Sequence, residues 1–191
     1  MTLVRVTAPA ETPITLAEAK THLRVDGSAE DAYIISLIAA AVSLVDGEGS
    51  LGRSMVTQTW AKWVSQSPGV VRIGMGPFIS LTSVDYYDAD NAIQSATLSD
   101  YEIRLDGDFV NIRPKKGKVW PNSYIRDDSI KFTFTAGFGA AADVPDGIKH
   151  ALLMLVGHWY QNREAVSDAS LKEVPMAVEA LLGNERVGWY G

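Results

Sequence analysis

The chain has no cysteine. That excludes disulfides, thiolate nucleophiles and cysteine-ligated zinc sites. Histidine is scarce too, with only His22, His150 and His158. His150 and His158 stand eight apart, not at the i, i+4 spacing that chelates a metal from one helix face, and no HExxH is present. The longest apolar run, YIISLIAAAVSLV, falls short of the about 20 residues that cross a bilayer. The first residues, MTLVRVTAPAETP, lack the continuous apolar stretch of a signal peptide. A soluble chain made in the cytoplasm, with no membrane partner, is the expectation. Positive charge is in deficit: 17 Lys and Arg stand against 23 Asp and Glu, a net −6. A dedicated DNA-binding surface needs clustered cations. An acidic wall instead repels phosphate, which suits a protein that DNA slides past.

What is present is ordinary globular material. The 191 residues are 47% hydrophobic and 21% charged, enough for one good core or a core with an inserted subdomain. Residues 13–48 read as helical. Thr15, with Leu16 next and Glu18 three residues on, is a helix-start signature. A second helix is expected over 29–46, ended by DGEGSLG. Residues 54–135 read as about six strands. MVTQTWAKWV alternates, FISLTSVDYYD ends at the turn DADN, and Asp106-Gly107 marks a tight hairpin in YEIRLDGDFVNIRP. SIKFTFTAG places Ile130, Phe132 and Phe134 on one face and Lys131, Thr133 and Thr135 on the other, as in an antiparallel sheet with one wet face. Helix returns at Pro145, which fits a first turn, and runs to about Glu164. SDAS breaks it, and Pro175 opens a last helix closed by Gly183.

The fold class is therefore α+β. Helices from both ends of the chain form a bundle (13–52 and 144–183), an antiparallel β domain (53–140) is inserted, and a tail (184–191) follows. Two of the helices are apolar around most of their circumference. Helix 29–46 carries Ile34, Ile35, Leu37, Ile38, Val42, Leu44 and Val45. Helix 145–164 carries Ile148, Leu152, Leu153, Met154, Leu155, Val156 and Trp159. A monomer's surface helix needs only one apolar stripe. Either a central helix is buried within one chain, or part of this surface meets another subunit.

Catalytic, cofactor and metal sites are not expected. His158, between Gly157 and Trp159, reads as packed structure. DYYDAD followed by Asn91 misses the EF-hand pattern, because Ala92 and Ile93 fall where a ligand and a glycine belong. GRSMVTQ is no nucleophile elbow, and GVVRIGMGP no phosphate loop. Two stretches stand out as polar candidates. YQNRE ends an apolar helix, and Tyr160, Asn162, Arg163 and Glu164 could form a lock within or between subunits. RPKKGK is the one basic run, and Lys115, Lys116 and Lys118 could meet DNA or a partner. An alternative reading is a small hydrolase or lyase with a pocket between the β insert and the helices and His158 or His22 as base. A third is a binding module with Trp60 or Trp63 exposed on its sheet.

Five stretches occur in an order that resembles one family: TPITLAEAKTHLRVDGSAEDAYIISLIAAA, GRSMVTQTW, FTAGFG, VPDGIKHALLMLVGHWYQNREA and PMAVEALLG. These are the head–tail connector, or head-completion adaptor, proteins of tailed bacteriophages and gene transfer agents. The resemblance implies a non-enzymatic virion protein at the head–tail interface. It implies a dodecameric ring of this chain beneath the portal protein, extending the channel for double-stranded DNA and docking a head-closure or stopper protein. It also implies that the C-terminal segment reaches the portal, which makes Arg186, Trp189 and Tyr190 contact candidates. The sequence departs from the family pattern at DGEGSLGR, where members more often continue the helix with an aromatic residue.

Overall fold

The structure, a computed structural model, describes residues 2–65, 69–163, 176–183 and 185–186. Glu164, Pro175, Trp189 and Tyr190 lie outside the described residues, and so does SDAS. The chain is α+β and divides into two compact units: residues 1–10 with 57–137, and residues 11–56 with 138–191.

The first unit is a pair of antiparallel sheets around one core. Its strands are β1 (Thr2–Thr7), β2 (Gln58–Val64), β3 (Val71–Ile73), β4 (Phe78–Tyr87), β5 (Ile93–Ser95), β6 (Tyr101–Asp106), β7 (Phe109–Pro114) and β8 (Ile130–Ala136). One sheet runs β1-β2-β8-β4-β5 and the other β3-β7-β6. The period-2 pattern of SIKFTFTAG sets which face of β8, the middle strand, is buried. Ile130, Phe132 and Phe134 point into the core, while Lys131, Thr133 and Thr135 stay only partly buried. Trp60, Val84, Val110 and Ile112 close that core from the other strands. Gly107, at φ +59°, makes the β6–β7 hairpin turn that Asp-Gly signals. DADN is likewise a hairpin turn: Asp88 Oδ1 accepts from the Asp90 and Ala92 amides at 3.0 and 2.9 Å. β1 has no counterpart in the sequence reading. It pairs antiparallel with β2, Thr2 opposite Trp63.

The second unit holds four helices, α1 (Leu16–Leu23), α2 (Asp31–Val45), α3 (Asp146–Gln161) and α4 (Met176–Gly183). α1 starts with the capping box its sequence encodes. The Glu18 amide donates to Thr15 Oγ1 at 3.2 Å, and the Thr15 amide donates to Glu18 Oε2 at 2.6 Å. α2 begins two residues later than the spacing predicts, after Glu30, which makes no side-chain cap bond. It stops at Val45, where the chain folds back on itself. The Ser50 amide donates to the Leu44 carbonyl at 2.9 Å and the Leu51 amide to that of Val45 at 3.1 Å. A Cβ at Gly49 would lie 2.5 Å from the Leu44 carbonyl oxygen. Only glycine fits there, which is the physical reason DGEGSLG ends the helix.

α3 packs against α1, α2 and α4. Ile148, Ala151, Leu152, Leu155 and Val156 are buried, while Leu153, Met154 and Trp159 are partly so. α2 buries Ile34, Ile38, Ala41 and Val45 but leaves Ile35 and Leu44 exposed. One stripe of each helix thus faces the core, and some of the remaining apolar surface stays accessible. α3 ends at Gln161, three residues before the predicted stop. The Asn162 backbone and side-chain amides both donate to the His158 carbonyl, at 3.1 and 2.8 Å, and close the last turn.

Candidate functional site

The polar end of α3 meets the start of α2. Tyr160 comes in from the last turn of α3, its hydroxyl donating to Glu30 Oε2. Arg163, just past the helix, donates from Nη2 to the same oxygen. Its guanidinium carbon lies 4.7 Å from the centre of the Tyr33 ring and 4.6 Å from that of Tyr160. The charges also match the helix ends. Glu30 sits at the positive N-terminus of α2, and Arg163 follows the negative C-terminus of α3. Of the predicted lock residues, Tyr160 and Arg163 converge on one carboxylate, and Asn162 caps the helix instead. Glu30 and Tyr33 belong to the cluster and had no sequence signal, since Glu30 lies 133 residues from Arg163.

The cluster ties the start of α2 to the end of α3 through one carboxylate. Hydrogen bonding from Arg163 and then from Tyr160 holds the Glu30 carboxyl below its usual range. The bond to Glu30 raises both the Tyr160 phenol and the Arg163 guanidinium. The linkage is direct. A depressed carboxyl contributes stability above its unfolded value and loses it as pH falls through the folded one. A raised phenol contributes up to about pH 10 and loses it as pH climbs further. Wild type should therefore melt higher than Glu30→Gln at neutral pH, and the gap should close as pH falls below about 4.5, the ordinary glutamate value. Melting scans from pH 3 to 7 would check this; a gap independent of pH would disprove the clamp.

The other candidates separate. Lys118 pairs with Asp100 at 2.9 Å. Lys115 and Lys116 are exposed, and their side chains have no partner among the described residues. Arg186 donates to Glu179 of α4 at 2.6 Å. Trp60 is core, at 3% exposure, so it offers no exposed aromatic to a ligand. Trp63 is partly buried beneath Lys131, whose ammonium is 5.6 Å from its ring centre. His22 meets His150 edge-to-face at 6.2 Å, a contact between α1 and α3 that spacing along the chain could not reveal. An open cleft of about 540 Å³ lies on the β6–β7 hairpin, lined by Val70, Arg104, Leu105, Asp106, Asn111 and Arg113, with no histidine in its wall.

The sequence matches the model of the head completion protein family over residues 12–172. The chain belongs to this family. No curated protein sequence matches it. This head completion protein is similar in fold to a chain from the neck of an empty gene transfer agent particle computed with C6 symmetry, at 21% identity and TM-score 0.79 over 98% of this chain and 96% of that one. A chain from the virion of a native gene transfer agent particle is similar at 22% identity and TM-score 0.76, with the same coverage of 98% and 96%. A chain from the neck of the native particle computed with C12 symmetry gives 21% identity and TM-score 0.71, again over 98% and 96%. The family match spans Glu30, Tyr160, Arg163 and strands β2 to β8, while β1 precedes it.

Proposed function

We propose that this head completion protein is a non-enzymatic structural adaptor of a virion or virion-like particle, set between head and tail. Copies form a ring beneath the portal protein, extend the DNA channel and receive the head-closure or stopper protein. Double-stranded DNA passes without sequence-specific binding, which the net charge of −6 suits. The observation that carries the reading is the family match over residues 12–172. The fold it shares with neck chains of particles computed with C6 and C12 symmetry supports the ring. On this reading the C-terminal segment anchors the chain. Arg186 lies next to α4 through its bond to Glu179, and Trp189 and Tyr190 supply the large side chains that interface anchors use.

The test is mass by light scattering, on the chain alone and mixed with the portal ring of the same particle. A defined portal–adaptor complex, lost on deletion of residues 184–191, is the expected result. A chain that stays monomeric and indifferent to the portal would reject the adaptor reading.

A further inference from the structure

The segment between β7 and β8 is long, yet it is tied down along its length. Trp120 stacks on Tyr101 with ring centres 5.1 Å apart and meets Phe132 edge-on at 5.5 Å. The Tyr124 amide donates to the Tyr87 carbonyl at 2.8 Å. Arg126 lies over the Tyr87 ring at 3.8 Å and donates to Asp128 at 2.5 and 2.9 Å. Ser129 Oγ donates to the Tyr124 carbonyl at 2.8 Å. These anchors hold two aliphatic side chains out in solvent: Val119 is 82% exposed and Ile125 is 80% exposed. The exposed Lys115 and Lys116 begin the same segment. An ordered loop that displays apolar side chains is a surface waiting to be covered.

Charge indicates what covers it. The unit that carries the loop has 10 Lys and Arg against 9 Asp and Glu, whereas the helical unit has 7 against 14. The helical unit also has a matching apolar flank. From Ala32 to Val45 helix α2 holds no charged residue, and Ile35 is 52% exposed on it. Exposed acids, Asp26 and Glu48, lie just beyond its two ends. DNA fits the loop less well. Phosphate is met by cations and polar groups, and Val119 and Ile125 add nothing to such a contact.

We propose that the 115–126 loop of one copy docks on the α2 flank of a second copy. Loop and flank belong to different units, so each copy offers one and receives the other. Such a heterologous contact repeats around a closed ring. The inference rests on the ring reading above and says which surfaces make the ring.

The absence of cysteine makes the test clean. Ile125→Cys is combined in turn with Ile35→Cys, Ala39→Cys and Ser43→Cys, a scan along the exposed flank. Each double variant is mixed with the portal ring, oxidised mildly and run on a non-reducing gel. A ladder of linked copies from at least one pair is expected, and adding Val119→Asp should weaken the linkage about 10-fold. A portal–adaptor complex of full mass with only monomer on the gel for all three pairs overturns the docking and leaves the adaptor reading standing. No complex and no linkage removes both. Monomer on the gel, together with loss of DNA retention in Lys115→Glu/Lys116→Glu, assigns the loop to DNA instead.

Discussion

Phe132→Ala costs the β unit about 3–5 kcal/mol. Phe132 is fully buried in the middle strand of the five-stranded sheet, facing Lys62 on β2 and Val84 on β4. Truncation removes a whole aromatic side chain and leaves a cavity that flanking strands cannot close, because both are held to β8 by their ladders. The loss reaches beyond the sheet. The Phe132 ring is one of the two surfaces that seat Trp120, so the loop carrying Val119 and Ile125 loses part of its anchor. Urea unfolding followed by tryptophan fluorescence measures both effects: a lower midpoint, and a red-shifted folded baseline as Trp120 meets water. A loss below about 1.5 kcal/mol would contradict the packing described for β8.

In the helical unit Leu152→Ala costs about 2–5 kcal/mol, while Leu153→Ala, one residue on, costs about 1. The two leucines are chemically identical and differ only in direction. Leu152 is fully buried among the helices, and Leu153 is partly exposed at the edge of the same core. Their comparison removes propensity from the answer, since both changes place alanine in the same helix. Thermal unfolding of the two variants, at a protein concentration low enough to keep the chain monomeric, checks the difference. Equal losses would mean that α3 is enclosed on all sides, against the orientation seen here.

These contrasts mark where the sequence was readable. Thr15 and Glu18 announce the start of α1 because both bonds of a capping box lie within one turn. Asp106-Gly107 and the alternation of β8 are equally local. β1 escaped because it is an edge strand, exposed at five of its six positions, so burial imposes no alternation on TLVRVT. The end of α3 was misplaced by three residues because the competing bond, from Asn162 to His158, uses a side chain that serves helix or turn alike. The clamp was half legible. Tyr160 and Arg163 stood out as polar residues closing an apolar helix, but a lone glutamate in SAED carries no mark of a partner far away in the chain. The pairing of His22 with His150 was hidden for the same reason.

The order in which the two units become complete differs from the order of the helices along the chain. The strands of the β unit end at Ala136, whereas α3 begins only at Asp146. During synthesis α1 and α2 emerge early, yet α3, the helix they both pack against, is made only after the strands of the β unit. The apolar face of α2, with Ile34 and Ile38, must wait through the synthesis of all the later strands. The β unit can close first, since domains fold as they emerge. The half-made helical unit is thus the stage at which a nascent chain is most exposed to aggregation and to chaperones.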